Sequence, residues 1–359
     1  MDAYRYHPGN KNLVKETVPV PKPGPDEVLI KVLAAGMCHS DLLYFKYDNM
    51  WASRETFTMG HEGAGTIAAL GADVPARFPA LILGAYVAAL ARNACFAPAC
   101  ANCGVGADNL CAARWAVGFG ADGFYAPYCA VRAATVVRVP GGLAGEGGLG
   151  QESVAGVLHP AHAAVATDAV LTSYHALKAN AGIQPGQTVL IIGAGGLGLN
   201  GVQIAKNVLG AKCVIACDVR ESSLQDARAL GADYTALPDA LPALLQDNGL
   251  VVDVACDFVG LNETFNAALK AVRPKGTLQV VGLTAPSVDL PLIPAADKDL
   301  TIRFSMWGKL DELREVLQHV LDGKITPRVE TRPLASLVET FEDFMNGRIQ
   351  SRMVLIPEH

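Results

Sequence analysis

The chain has 359 residues, a length typical of two domains, and its 51% hydrophobic content is enough for a sizeable core. Charged residues make up 18% of it and the formal net charge is −6, without the clustered Lys and Arg that nucleic-acid binding requires, so no nucleic-acid partner is expected. The first residues lack the apolar core of a signal peptide and residues 78–91, the longest nearly apolar run, are too short to span a bilayer, which predicts a cytoplasmic protein without membrane contact.

Short alternating apolar runs, separated by Pro and Gly, fill about the first 140 residues. Residues 28–33, 65–70 and 134–139 each predict a strand, so this part is expected to form a β-rich domain with irregular loops. A glycine-rich stretch follows at residues 141–150, and its composition predicts a loop or linker near a domain boundary.

From about Gln187 the pattern changes to strand-like runs that alternate with segments of helical periodicity. Such alternation predicts a parallel sheet with crossover helices. A further helix is predicted after about Met306, and a final strand at residues 352–356. The strands predicted for the parallel sheet are residues 188–192, 212–217, 251–257, 277–281 and 300–304.

A glycine-rich turn joins the first of these strands to a helix, with the sequence Gly-Ala-Gly-Gly-Leu-Gly. A turn in this place presents backbone N–H groups and the positive end of a helix to a pyrophosphate. Asp218 follows the next strand, where a carboxylate can accept a hydrogen bond from the ribose 2′-hydroxyl and repel a 2′-phosphate, which favours NAD over NADP. Arg220, two residues later, is a residue type that can receive a 2′-phosphate, so NADP is kept as the alternative cofactor. The predicted cofactor-binding residues here are Gly193, Gly195, Gly196, Leu197, Gly198, Asp218 and Arg220.

Two motifs place potential zinc ligands at the ends of predicted strands: Gly-Met-Cys-His-Ser-Asp around Cys38 and Gly-His-Glu-Gly-Ala-Gly around His61. Thiolate and imidazole are good zinc ligands, and three protein donors with one open position form a catalytic site. Taken singly, a buried Cys or a structural His would explain either motif. Together with the dinucleotide turn they indicate a metal-dependent enzyme.

Four of the nine cysteines lie in one short stretch: Cys95, Cys100, Cys103 and Cys111. In a reducing compartment such a cluster indicates a metal site rather than disulfides. The alternative is a zinc-free loop of reduced cysteines.

With these motifs in this order, the chain resembles the zinc-containing medium-chain alcohol dehydrogenase family along nearly its whole length. The resemblance implies an α/β fold with a β-rich GroES-like catalytic domain at residues 1–168 and 307–359, which includes a structural zinc lobe at about residues 92–114. A doubly wound parallel-sheet Rossmann domain at residues 169–306 would bind NAD. It also implies a homodimer or homotetramer.

The resemblance also implies ligand assignments. Cys38, His61 and Asp168 would bind the catalytic zinc, Asp168 by likeness to a branch of the family in which an Asp is the third ligand. Glu62 would be a neighbouring or transient fourth ligand, Asp41 would orient His61, and Thr172 would lie against the nicotinamide. His159 and His162 are rival ligands to Asp168. Structural zinc would be held by the four cysteines, although four, two and seven residues separate them where the family has two between each of the first three.

For catalysis, the resemblance implies a zinc-polarised alcohol whose proton leaves through Ser40, with His39 as a further carrier, because Leu43 stands where the family often has a His. The substrate would be an alcohol, with a secondary alcohol favoured, or a ketone or aldehyde. The alternatives are a polyol dehydrogenase, a zinc-independent double-bond reductase and a non-catalytic binding protein. Candidate pocket walls are Tyr44, Tyr47, Trp51, Phe57 and Trp115.

Overall fold

A computed structural model of the chain describes residues 1–46, 55–111, 115–142, 156–349 and 351–359. Contacts divide the chain into two compact units. The first unit comprises Met1–Asp168, Lys309–Leu321 and Arg328–His359, and the second comprises Ala169–Gly308 and Asp322–Pro327. Tyr47, Trp51, and residues 143–150 of the predicted glycine-rich loop lie outside the described residues.

The strands, in chain order, are β1 Asp2–Tyr6, β2 Val14–Thr17, β3 Glu27–Gly36, β4 Phe57–Thr58, β5 Glu62–Leu70, β6 Tyr86–Ala89, β7 Arg92–Asn93, β8 Trp115–Val117, β9 Gly120–Ala121, β10 Tyr128–Arg132, β11 Val136–Arg138, β12 Thr188–Ile192, β13 Cys213–Cys217, β14 Tyr234–Ala236, β15 Val252–Asp257, β16 Val272–Val280, β17 Thr301–Phe304, β18 Val329–Pro333 and β19 Arg352–Ile356.

The α-helices are α1 Leu43–Lys46, α2 Val74–Arg77, α3 Pro160–Val165, α4 Leu171–Tyr174, α5 Gly198–Gln203, α6 Glu221–Ala229, α7 Leu241–Asp247, α8 Asn262–Ala271, α9 Leu292–Asp297, α10 Leu310–Leu321 and α11 Leu337–Met345. Three segments have π-helical hydrogen bonding: Ala166–Val170, His175–Asn180 and Ile204–Val208. Short 3₁₀ turns lie at His39–Leu42, Cys103–Val105, Asp108–Leu110, Ala133–Thr135, Pro238–Ala240 and Leu334–Ser336. Within the described part of the chain, no helix is long and apolar enough to cross a membrane.

The first unit is built on a seven-stranded sheet, ordered β11-β6-β5-β3-β19-β18, with β10 also paired to β3. Its central strand, β3, is largely apolar and buries Val28, Ile30 and Val32 completely. The antiparallel register pairs Gly36, the last residue of β3, with Glu62, the first residue of β5. Because of this register, Cys38, which follows β3, and His61, which precedes β5, lie at the same end of the sheet.

The second unit is a six-stranded parallel sheet in the order β14-β13-β12-β15-β16-β17. Reading outward from β12, this is the doubly wound order of a dinucleotide-binding fold, which brings the carboxyl end of β12 to the point where the order reverses. Its core packs Leu190, Ile215 and Phe265 between the sheet and its helices. The predicted doubly wound sheet is therefore present.

The structure differs from the sequence-based strands in several places, among them residues 134–139 and β14. The predicted strand at residues 134–139 begins as the 3₁₀ turn Ala133–Thr135, because the Thr135 hydroxyl donates to the carbonyl of Arg132 (2.9 Å) and closes a turn there. Strand β14 was not predicted. Its three residues are too few to show a period of two.

Candidate active site

Three potential metal ligands meet in the first unit. The sulfur of Cys38, a ring nitrogen of His61 and a carboxylate oxygen of Asp168 lie within 4.8 Å of one another. All three side chains are buried, with His61 only 1% exposed. His61 Nε2 and the Asp168 Oδ2 are 3.4 Å apart, close to the edge of about 3.3 Å expected between nitrogen and oxygen ligands of a tetrahedral zinc.

Each of the three donors comes from a different local structure. Cys38 precedes the 3₁₀ turn His39–Leu42 that follows β3, and His61 immediately precedes β5. Asp168 lies in the π-helical segment after α3, more than a hundred residues further along the chain. At the start of α3, His159 accepts a hydrogen bond from Ala161 N–H. Among the described residues neither His159 nor His162 joins the three donors.

Asp41 organises two of the donors. Its Oδ1 lies 2.9 Å from His61 Nδ1, and its Oδ2 accepts a hydrogen bond from the backbone N–H of Cys38 at 3.0 Å. An anionic partner for Nδ1 favours the tautomer that carries its proton there, which leaves Nε2 free to bind a metal. The hypothesis that Asp41 orients His61 therefore agrees with the geometry.

Arg352, the first residue of β19, lies in this site, and the sequence analysis did not single it out. It is 4% exposed, forms an ion pair with Glu62 through Nη2, and donates from the same nitrogen to Asp168 Oδ2 at 3.0 Å. Its Nε also donates to Glu62 Oε2 at 3.2 Å. An arginine at the start of an apolar strand was the available signal, because a buried guanidinium needs acidic partners.

The acidic groups change the proton affinities in this site. Burial disfavours the charged form of His61, but Asp41 and the bond to Asp168 outweigh it and hold the pKa of His61 well above its usual range. Burial raises the pKa of Glu62 to about 7, with Asp168 adding to this and Arg352 opposing it. The pKa of Asp168 is lowered despite its burial, since His61 and Arg352 favour its charged form. The site attracts positive charge, which fits a divalent cation.

The four clustered cysteines also meet in the first unit. Their sulfurs lie within 4.8 Å of one another, with separations of 3.6 Å between Cys95 and Cys103, 3.9 Å between Cys100 and Cys111, and 3.5 Å between Cys95 and Cys111. The edge of a tetrahedral four-sulfur zinc site is about 3.8 Å. The longer first loop is closed with Phe96 at φ 50°, in the left-handed region. The donor set therefore fits a structural zinc.

The remaining predicted catalytic residues have different environments. Ser40 Oγ is 3.5 Å from the sulfur of Cys38. The ring of His39 is exposed and lies 4.5 Å from that of Phe344. Beside the donors, Phe119 lies with its ring 4.5 Å from the His61 ring, a contact that the sequence analysis did not anticipate.

In the second unit, the glycine-rich turn lies between β12 and α5 as predicted. Gly193 has φ 89°, and a Cβ on Gly198 would collide with the carbonyl of Gly193, so the turn requires glycine at both positions. Thr172 lies on α4, and its neighbour Ser173 donates from Oγ to the carbonyl of Leu197 at 2.9 Å. This bond ties α4 to the turn.

The carboxylate of Asp218 lies directly beside that turn. Its Oδ2 accepts from the N–H of Ala194 at 2.8 Å, and its Oδ1 accepts from the N–H of Arg220 at 2.9 Å. The Arg220 Nε is 3.4 Å from Oδ1, and its Nη2 would be 3.8 Å from a Cβ on Gly195. A carboxylate and a guanidinium thus flank the phosphate-binding turn together.

Comparison with known proteins identifies the family. Residues 24–141 match the family model described as the alcohol dehydrogenase GroES-like domain, and residues 196–322 match that of the zinc-binding dehydrogenases. An alcohol dehydrogenase of Rhizobium meliloti is 33% identical over 348 residues, which cover 96% of this chain and 95% of that protein. The chain belongs to the zinc-containing medium-chain alcohol dehydrogenase family.

Solved structures agree with this assignment. Acetophenone reductase from Geotrichum candidum, in complex with NAD, superposes with a TM-score of 0.83 at 36% identity, covering 99% of this chain and 96% of that one. The alcohol dehydrogenase of Aeropyrum pernix has a TM-score of 0.86 at 28% identity, covering 99% of this chain and 100% of that one. These matches confirm the predicted fold class and the predicted oxidoreductase of alcohols and carbonyl compounds, and they support zinc and NAD as its cofactors.

Replacing Cys100 with Ser tests the four-cysteine site. We expect bound zinc to fall from about two ions per chain to about one, with a lower melting temperature, because a structural zinc stabilises the fold that closes around it. Atomic absorption and thermal unfolding measure the two effects. Cys213→Ala, a change outside the cluster, is the control and should leave zinc content unaltered. Unchanged zinc in Cys100→Ser would contradict the assignment.

Replacing Asp218 with Ser tests the cofactor preference. Loss of a charged acceptor for the ribose hydroxyl should raise the KM for NAD roughly tenfold or more and improve the use of NADP, since Arg220 then remains to receive a 2′-phosphate. Steady-state kinetics with both cofactors measures this, with the exposed Asp239→Ser as the control. An unaltered NAD to NADP preference would count against the role of Asp218.

Proposed function

We propose that the protein is a zinc-dependent dehydrogenase that interconverts secondary alcohols and ketones with NAD as the hydride carrier. One observation carries the proposal: a buried thiol, imidazole and carboxylate converge in the first unit at separations that suit zinc. We assign this unit to catalysis. The second unit, with its glycine-rich turn and Asp218, is assigned to coenzyme binding.

In this scheme Cys38, His61 and Asp168 hold the catalytic zinc. When bound, the ion supplies Lewis acidity, which lowers the pKa of the substrate hydroxyl and polarises a carbonyl in the reverse direction. Ser40, beside the sulfur of Cys38, accepts the hydroxyl proton. Bound NAD would supply the hydride acceptor for the alcohol carbon, and Thr172 would lie beside its nicotinamide.

Leu43 stands where the family often has a His, but its side chain holds no exchangeable proton. The proton must therefore leave the site by another path. His39 is exposed to solvent and can take the proton at the outer end of the path, which bound NAD would complete with its ribose hydroxyls. Glu62 is fully buried and paired to Arg352, a position from which it can approach Asp168 and the ion. We retain it as a transient ligand.

We assign a group of aromatic rings beside His61 to the wall of the substrate pocket. The ring of Phe119 lies against His61, the Tyr44 ring is 5.5 Å from that of Phe119, and the Phe57 ring is 5.3 Å from that of Tyr44. Aromatic side chains pack favourably against another ring. The structurally similar acetophenone reductase is named for an aryl ketone, which supports an aryl-substituted secondary alcohol or ketone as the substrate.

We propose that the protein forms a homodimer through the second unit. Strand β17 is the last strand of its sheet and exposes Phe304, which is 65% accessible. The nearby helix α9 exposes Leu292 and Ile293. An open strand edge beside apolar surface suits pairing with the same strand of a second copy. A tetramer would need a further interface.

We also propose a cytoplasmic location. The four clustered cysteines have sulfur separations of 3.5–3.9 Å, which suit a shared zinc rather than disulfide bonds, and such clusters are typical of a reducing compartment.

Replacing Cys38 or Asp168 with Ala tests the catalytic site. Each change should abolish turnover of an alcohol panel with NAD and lower the zinc content, while NADH still binds, because the coenzyme site lies in the second unit. Fluorescence titration with NADH and zinc analysis accompany the assays. The control is Cys129→Ala, which removes a buried thiol from β10.

The same panel separates the alternatives. Full activity of Cys38→Ala or Asp168→Ala with zinc chelated would contradict the scheme, and reduction of an activated double bond without zinc would indicate the double-bond reductase. Preference for polyols over simple secondary alcohols would indicate a polyol dehydrogenase.

Replacing Phe119 with Ala tests the aromatic pocket. Loss of the ring contact should lower kcat/KM for aryl ketones about tenfold, with little change for a small ketone such as acetone, because only the aryl group packs on this ring. Competition between the two substrates measures the ratio. Phe78→Ala, away from the site, is the control. Equal losses for both ketones would contradict a specificity role.

A further inference from the structure

Tyr125 is a buried phenol that the catalytic scheme above does not use. It is 0% exposed, and its hydroxyl donates to Asp41 Oδ2 at 2.7 Å, with the carbonyl of Gly36 also near at 3.3 Å. Asp41 in turn contacts His61 and the backbone of Cys38. A hydrogen-bonded chain therefore runs from Tyr125 to two of the three proposed zinc ligands.

The backbone around Tyr125 is fixed to the segment that carries His61. The N–H of Tyr125 donates to the carbonyl of Met59 at 2.9 Å, and the N–H of Phe124 donates to the carbonyl of Gly60 at 2.8 Å. Gly60 has φ 92°, and a Cβ there would collide with the Tyr125 ring. The phenol and the residue before His61 thus pack directly against each other, and the backbone hydrogen bonds that fix Tyr125 also fix the segment that carries His61.

The Tyr125 hydroxyl is one of two donors to Asp41 Oδ2 among the described residues. Asp41 Oδ2 accepts one bond from Tyr125 and one from the N–H of Cys38, while Oδ1 faces His61. A buried carboxylate needs several donors to stay charged and fixed. Without the phenol, Oδ2 would keep one donor, and the carboxylate could rotate away from the His61 ring.

We propose that Tyr125 is a positioning residue for the catalytic metal site: it holds Asp41 in the rotamer that orients His61 Nε2 and the Cys38 turn toward the ion. This inference rests on the proposed function, because it concerns the same zinc. Groups that hold a metal ligand from behind commonly change metal affinity by tenfold or more when removed. Tyr125 acts one hydrogen bond further from the ion than Asp41 does, because it contacts the ligands only through that carboxylate.

The test is the rate at which the holoenzyme loses zinc to an excess of a chromophoric chelator. Wild-type protein should lose zinc in two phases, and the catalytic phase is the one that is missing in Cys38→Ala. In Tyr125→Phe we expect the catalytic phase to be about tenfold faster and the phase of the four cysteines to be unchanged. The phase of the four cysteines is an internal control, because general destabilisation of the domain would speed both phases.

Tyr86→Phe is the matched control variant. It also removes a buried phenol hydrogen bond of the first unit, from Tyr86 to the carbonyl of Leu158 (3.0 Å), and should leave both phases unchanged. The double variant with Asp41→Asn should lose its catalytic zinc no faster than Asp41→Asn alone, since Tyr125 acts only through that carboxylate.

Should Tyr125→Phe fail to fold, replacing tyrosine with 3-fluorotyrosine strengthens the phenol as a donor and should slow the catalytic phase. A catalytic phase within twofold of wild type in Tyr125→Phe, or equal acceleration of both phases, would overturn the inference. A wild-type protein with a single zinc phase that Cys38→Ala leaves intact would instead overturn the proposed function.

Discussion

The burial of several acidic groups in one place is the constraint on which the active site depends. Among the described residues, one site in the first unit encloses three carboxylates and a thiol beside a guanidinium: Asp41, Glu62, Asp168, Cys38 and Arg352. Removing charges from water costs several kcal/mol per ion unless they are compensated. The pKa of His61 is raised because negatively charged groups surround its ring. A divalent cation bound at Nε2 in place of the proton would neutralise that negative charge.

The sheet of the first unit makes this concentration of charge possible. Because Gly36 pairs with Glu62, the strands β3 and β5 deliver Cys38, Asp41 and His61 to one edge, where the carboxylate links the other two. Arg352 then enters from β19, which pairs antiparallel with the end of β3. The ligands and the groups that hold them are therefore fixed by backbone hydrogen bonds rather than by flexible loops, as a preorganised site requires.

Features that depend on a local sequence pattern could be predicted, whereas features that depend on contacts between residues far apart in the chain could not. The glycine-rich turn, β12 and the carboxylate after β13 form one local pattern, so the coenzyme fold was predictable. Asp168 was reached only through resemblance to a family, since nothing in its own neighbourhood separates it from His159 or His162. Arg352 lies 290 residues from Glu62, and Tyr125 lies 84 from Asp41, so neither pairing leaves a local signal.

We propose that the catalytic zinc is bound by one sulfur together with nitrogen and oxygen ligands. X-ray absorption at the zinc edge tests it most directly on the Cys100→Ser variant, in which the four-cysteine site is broken. We predict one sulfur at about 2.3 Å and nitrogen or oxygen ligands at about 2.0–2.2 Å. A zinc with four sulfur ligands, or a protein that turns over alcohols without zinc, would contradict it.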